Sequence, residues 1–246
     1  MIRKRIYGRR RFLLASSVFG TDLLLAQWAR ISKAAEEKEK NPNQETGEEV
    51  SPAEDLMREH GVLDRILLIY EDILARVHDG KEFPPEVLTR GANLVRRFIE
   101  DYHEKLEEDS LFPRFEKAGK LVELVQVLRQ QHQAGRRVTA AIQQLSTPTT
   151  LKDPDARQQL GTHLRHFIRM YRPHAAREDT VLFPAFHALV TPREYAALGD
   201  QFEDKEHDLF GANGFEQVVD QVANLEKQLG LYELAQFTPS RPSDDL

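Results

Sequence analysis

The chain has 246 residues, of which 40% are hydrophobic and 30% charged, with a formal net charge of −6 and no cysteine. That composition is able to build a buried core. The absence of cysteine excludes disulfides, thiolate metal sites and cysteine nucleophiles together, so any metal must be held by His, Asp, Glu or backbone oxygen.

Charge is divided along the chain. Residues 1–35 carry eight Lys/Arg and one acid, Asp22, which leaves 26 basic and 39 acidic residues in the remainder. A body that negative repels phosphate backbones, so nucleic acid is not an expected partner. The basic N-terminus reads as an address. GRRRFLL (8–14) places Arg9-Arg10 before an apolar run over 12–29, and Arg9, Arg10, Phe12 and Leu13 resemble a twin-arginine export signal. Gly20 and Asp22 make the run a poor transmembrane helix, and the alternatives are a cytoplasmic protein or one anchored by its N-terminus. Membrane contact is expected only through residues 1–35, and no stable protein partner is expected. Export by this route implies a periplasmic or other extracytoplasmic location.

Residues 36–51 are polar and Glu-rich, which predicts a disordered linker. Ser51-Pro52-Ala53-Glu54 then supplies an N-cap, a Pro at the first helical position and the Glu of a capping box. The helix that follows has Leu56, Leu63, Leu67, Tyr70 and Leu74 on its apolar side and stops at Asp79-Gly80. A second helix begins at Pro84-Pro85 and runs to Leu111-Phe112-Pro113. A third covers 119–145. A fourth starts at Asp153-Pro154 and reaches a second Leu-Phe-Pro at 182–184. Thr191-Pro192-Arg193-Glu194 caps a shorter helix to about Leu209, and a last one ends near Gly230. The fold class is therefore all-α, an up-down-up-down four-helix bundle over 52–187 with added C-terminal helices over 188–236 and a disordered tail at 237–246.

The chain says one thing twice. YHEKLEEDSLFP (102–113) and PHAAREDTVLFP (173–184) share a register: His103 to His174, Glu107 to Glu178 and Phe112 to Phe183 are each 71 residues apart, and His60 to His132 is 72. Residues i and i+4 share a helix face, so His103 with Glu107, and His174 with Glu178, point together. His60 and His132 supply one imidazole each from the other two helices. A pseudo-twofold pairing of two helical hairpins brings all six to one level. Four imidazoles and two carboxylates suit iron, manganese or zinc, and two carboxylates between two His-rich halves suit a pair of ions about 3.5–4 Å apart. Taken alone, each Leu-Phe-Pro reads as a helix stop with Leu and Phe plugging the core.

These motifs, with EHG at 59–61 and QQH at 130–132, resemble the haemerythrin-like (HHE cation-binding) domain over about residues 52–187. The resemblance implies a four-helix bundle around a non-haem di-iron centre, with iron favoured over manganese or zinc and with His60, His103, Glu107, His132, His174 and Glu178 as ligands. Two departures stand out. Oxygen-carrying members have a further His four residues after the third-helix ligand, where this chain has Arg136. Their last acid is an Asp at the fifth position after the His, where Glu178 stands here at the fourth. Glu104 and His207 are candidates for an additional ligand. Tyr102, Tyr171 and His163 are candidates for outer contacts to the ligands. Leu63, Leu67, Tyr70, Phe98, Phe167 and Met170 join the two tyrosines as a candidate apolar wall.

Three functions follow. One is a di-iron protein that binds or responds to O2, NO, peroxide or iron. Another is a ferritin-like carboxylate-bridged oxidase or peroxidase, which needs paired E-x-x-H motifs; Glu100-x-x-His103 fits and Asp204-x-x-His207 fits poorly. The third is a metal-free interaction bundle. No catalytic residue is assigned, and no P-loop, dinucleotide-binding, H-E-x-x-H or nucleophile-elbow motif is present.

Overall fold

The computed structural model describes residues 50–239, so the stretch expected to act as an export signal, and most of the expected linker and tail, lie outside the described residues. Among the described residues the structure is all-helical, with six helices and no strand. We number them α1 (Pro52–His78), α2 (residues 85–118), α3 (Val122–Leu145), α4 (residues 154–187), α5 (Pro192–Phe210) and α6 (Gly214–Leu229).

The boundaries follow local chemistry. Ser51 Oγ accepts the Glu54 N–H at 3.2 Å, Asp153 Oδ1 the Asp155 N–H at 2.9 Å and Thr191 Oγ1 the Glu194 N–H at 3.3 Å. Each satisfies one of the free donors of a helix start, and each is followed by Pro at the first helical position. At the other ends, Gly80, Gly119 and Gly230 take the left-handed backbone that stops a helix with least strain.

The two Leu-Phe-Pro motifs are not stops, which corrects the sequence reading. α2 and α4 run straight through them as α-helix Phe112–Ala118 and Phe183–His187. Immediately before each lies a π-helical turn, Glu107–Leu111 and Glu178–Leu182, 71 residues apart like the motifs themselves. Pro113 and Pro184 have no N–H to give the carbonyl four residues back. The wider turn takes up that missing bond: the Phe112 N–H reaches Glu107 O and the Phe183 N–H reaches Glu178 O. A third π-helical stretch, Val95–His103, leads into His103.

α1 and α3 each pack on both α2 and α4, so the four long helices close a ring. Its interior holds Leu63, Leu67, Tyr70, Phe98, Phe112, Phe167 and Phe183, all buried. α6 lies on α1 and α2, and α5 on α1 and α6. Phe215 and Phe210 of this extension approach Phe98, with ring centroids 6.4 and 5.6 Å away, and Arg65 of α1 holds Glu226 of α6 through two hydrogen bonds of 2.9 and 2.5 Å. The extension is thus continuous with the core.

Candidate metal centre

The six predicted donors meet inside the ring. His60, His103 and Glu107 each place one donor atom within 4.8 Å of the others, and so do His132, His174 and Glu178. All six are buried to 4% exposure or less. The His60 and His103 rings lie 4.7 Å apart and the His132 and His174 rings 5.0 Å apart. Each carboxylate faces both hairpins. Glu178 Oε2 is 3.4 Å from His60 Nε2 and 3.1 Å from His174 Nε2. Glu107 Oε2 is 3.4 Å from His132 Nε2 and 3.9 Å from His103 Nε2.

Each imidazole is turned so that Nε2 faces inward, because Nδ1 is taken from behind. His60 Nδ1–H donates to Asp179 Oδ1 at 2.7 Å, His103 to Glu59 Oε2 at 2.7 Å, His132 to Glu108 Oε1 at 3.1 Å and His174 to Gln131 Oε1 at 2.9 Å. Such outer partners fix the tautomer and ring orientation of a ligating His and raise its basicity. The Leu-Phe-Pro phenylalanines complete the packing crosswise. Phe112 stacks on His132 and Phe183 on His60, each with centroids 5.5 Å apart and planes within 24°. Each motif therefore supports the histidine of the opposite hairpin.

None of these outer partners came out of the sequence reading, although a signal was present. Each is the immediate neighbour of a predicted ligand: Glu59 before His60, Gln131 before His132, Glu108 after Glu107, Asp179 after Glu178. The neighbours serve other ligands, so sequence adjacency concealed the pairing. Asp179 also corrects the comparison with the oxygen carriers. An Asp does occupy the fifth position after His174, but it holds His60 from behind while Glu178 faces inward.

Six of the inward-facing atoms are among the buried polar atoms that lack a hydrogen-bond partner. His103 Nε2, His132 Nε2 and both oxygens of Glu107 and Glu178 are buried with no hydrogen-bond partner. A polar group left in that state costs about 1–3 kcal/mol, more when charged, and six such atoms gathered in one place call for a cause, of which a bound ion is one. The electrostatics agree. Burial and the nearby Glu178 charge hold the Glu107 carboxyl well above the usual carboxylate range. Glu178 goes the other way: burial would raise it, and the His174 and His60 rings outweigh that and lower it. Burial drives the His103 ring well below its ordinary value and His132 down to about 4, so both are neutral donors at pH 7. For His60 burial also opposes the charge, but Asp179 and Glu178 prevail and raise it to about 9. Imidazoles and carboxylates converging on one buried point fit cations of the iron, manganese or zinc type, which take the place of the protons the set would otherwise hold.

The remaining predicted residues divide. Glu104 is fully buried and forms a further group of candidate donors with Glu108 and His132, with Oε1 accepting the Tyr171 hydroxyl at 2.7 Å and Oε2 2.8 Å from Arg136. Arg136 also donates to Glu108 Oε1 at 2.8 Å, so the position where the carriers have a ligand is given to a cation that anchors outer carboxylates. Tyr171 does reach the site, its ring edge-on to His174 at 5.5 Å, and Gly135 leaves the space for its hydroxyl. Tyr102 is buried beside Glu59, whose charge, with those of Glu206 and Asp55, adds to burial in raising its hydroxyl. His207 is half-buried on α5 and belongs to no cluster of candidate donors among the described residues; its neighbour Glu206 is the buried one, next to Asp55 and Glu59. His163 is half-buried on α4 and likewise joins no such cluster, while His78, His166 and His187 are exposed. Glu100 is held by Thr139 and Arg96 at 2.5 Å each and is not among the candidate donors. A surface cleft of about 460 Å³ between α1 and α4 is lined by Asp64, Leu68, Glu71, Arg172 and Asp179, the last being the partner of His60 Nδ1.

An all-helical protein with a buried, pseudo-symmetric His/Glu donor set is, by fold and site, a cation-binding helical domain. The chain belongs to the hemerythrin family: the model for the hemerythrin HHE cation binding domain matches residues 51–186. Among similar proteins are "Uncharacterized protein Rv1995" of Mycobacterium tuberculosis and "Uncharacterized protein Mb2018" of Mycobacterium bovis. Each is 49% identical over 191 residues, covering 78% of this chain and 75% of the relative. No solved structure gives a significant match.

Proposed function

We propose that the protein holds a pair of iron ions through His60, His103, Glu107, His132, His174 and Glu178, and that it binds or responds to O2, NO or peroxide there. The observation that carries this reading is the division of labour around the imidazoles: four Nδ1 atoms engaged from behind, and the inward Nε2 of His103 and His132 and the carboxylate oxygens of Glu107 and Glu178 left without hydrogen-bond partners. Bound there, a non-haem iron pair supplies redox and small-ligand chemistry. The chain's own part is positional. Glu59, Asp179, Glu108 and Gln131 aim the rings, and Glu107 and Glu178, each close to imidazoles of both hairpins, would help to hold the ions. Phe112, Phe183, Leu63 and Leu67 keep bulk water out.

The ferritin-like alternative would draw on Glu100 of the E-x-x-H motif, and that carboxylate is committed to Thr139 and Arg96. A metal-free bundle would have to leave six inward atoms, on His103, Glu107, His132 and Glu178, without hydrogen-bond partners. The short links between the long helices favour an up-down-up-down course, with residues 52–187 as the metal-binding unit and 188–236 as an extension of it. Residues 1–35 would export the loaded protein by the twin-arginine route, which carries folded cargo. No helix among the described residues is long and apolar enough to cross a membrane.

The test is to load purified protein with ferrous iron without oxygen and record its visible and Mössbauer spectra before and after adding O2, NO or peroxide. Spectra that change with at least one of the three and show coupled iron ions support the proposal. Iron that stays mononuclear, or that leaves the protein on a desalting column, overturns it.

A further inference from the structure

The repeat that builds the centre is broken at one outer position. Glu59 and Gln131 are 72 residues apart, the same offset as the histidines that follow them, His60 and His132. They do the same job in their own hairpins: Glu59 Oε2 takes the Nδ1–H of His103 at 2.7 Å, and Gln131 Oε1 takes that of His174 at 2.9 Å. One acceptor is a carboxylate and the other a neutral amide. The second pair of outer partners, Asp179 and Glu108, keeps its carboxylates but not its surroundings. Glu108 shares its charge among His132, Arg136 and Lys105, with Arg136 Nη1 at 2.8 Å. Both differences weaken the same side. A carboxylate behind an imidazole pulls on the Nδ1 proton and makes Nε2 a stronger donor, whereas an amide, or a carboxylate already neutralised by cations, does so less.

We infer that the two halves of the centre are unequal, with His60, His103 and Glu107 forming the tight position, His132, His174 and Glu178 the weak one, and the Glu59/Gln131 difference setting much of the gap. The inference rests on the proposed two-ion site and specifies its loading order: the first ion enters the half backed by Glu59 and Asp179, and the second is held loosely enough to be lost first. Outer partners of this kind alter metal affinity by roughly 10–100-fold when changed, which gives the expected size of the gap.

The experiment is a zinc titration of the metal-free full-length protein against a chromophoric chelator, with folding of every variant checked by circular dichroism. The parent is expected to show two classes of site separated by roughly 10–100-fold. Gln131→Glu tightens the weak class and narrows the separation, and Glu59→Gln weakens the tight class by a similar factor. His174→Ala leaves the tight class in place, and His60→Ala abolishes it. Two equal classes in the parent overturn the inference while leaving the two-ion proposal standing, and so does a folded Gln131→Glu with an unmoved weak class. Should Gln131→Glu fail to fold, an unchanged tight class in Glu59→Gln overturns it equally. No zinc bound at all overturns the two-ion proposal together with the inference.

Discussion

Replacing Gly135 by Ala puts a methyl group where Tyr171 already is. A Cβ at Gly135 would lie 2.0 Å from Tyr171 Oη, 2.7 Å from Cζ and 3.0 Å from Cε2. Tyr171 has little freedom to retreat, since its ring is buried against Phe167 at 4.4 Å and against His174 at 5.5 Å. Two costs follow. Overpacking a core position costs about 1–3 kcal/mol. Pulling the hydroxyl off Glu104 strands a buried carboxylate oxygen for about another 1–3 kcal/mol. Against them stands the helix-propensity gain of Gly to Ala, about 1 kcal/mol. The net expectation is a loss of about 3 kcal/mol, or a fall in melting temperature of roughly 6–12 °C for a chain of this size. Gly61 supplies the control. It also sits inside a helix, but an added Cβ there meets nothing within 4 Å, so Gly61→Ala should stabilise the protein by up to about 1 kcal/mol. Urea melts of the two variants should therefore move in opposite directions. A Gly135→Ala protein as stable as its parent would refute the placement of Tyr171 and the network it anchors.

The pH dependence of the metal-free protein has a definite sign. His60 is raised to about 9 in the folded state against an ordinary 6.5, so its contribution is complete below pH 6.5 and is lost as pH rises through 9; Glu104, raised by burial from 4.5 to about 8, loses its contribution between those two values and adds to the decline only up to about pH 8. Urea melts at pH 6.5 and 9 should show the decline, and Asp179→Asn should reduce it. Metal loading must displace the His60 proton, so mixing zinc with the protein in weak buffer at pH 7.5 should release protons, and release should fall in His60→Ala. Phe112→Ala and Phe183→Ala each remove a fully buried ring at a cost of about 3–5 kcal/mol, and each should weaken the metal class that contains the histidine it stacks on, as read by chelator competition. Ending the chain after His187 removes Phe215, Val218, Val222 and Leu225 from their place against α1 and α2; near-ultraviolet circular dichroism should show loss of fixed tertiary packing.

The convergence of the six candidate donors was legible because it obeys local rules. A His and a Glu four residues apart share a helix face, and a 71-residue repeat of that pair requires a common cause. The caps at Ser51, Asp153 and Thr191 were legible for the same reason, as each acts within three residues. What escaped was whatever depends on contacts between helices. Glu59 precedes His60 yet serves His103, and Asp179 follows Glu178 yet serves His60. The π-helical turns escaped because the proline that signals them is read by default as a stop. His207 drew attention through residue type, but packing brings its neighbour Glu206 to the interior, where it accepts the Phe215 N–H at 2.8 Å.

The most direct test of the account is the metal content of full-length protein, reconstituted with ferrous iron without oxygen, desalted and analysed by plasma mass spectrometry beside its six single alanine variants. The account predicts two irons per chain in the parent. It also predicts that each of His60→Ala, His103→Ala, Glu107→Ala, His132→Ala, His174→Ala and Glu178→Ala, while still folded, falls to one iron or fewer. Full iron retention in all six variants, or none in the parent, would contradict it.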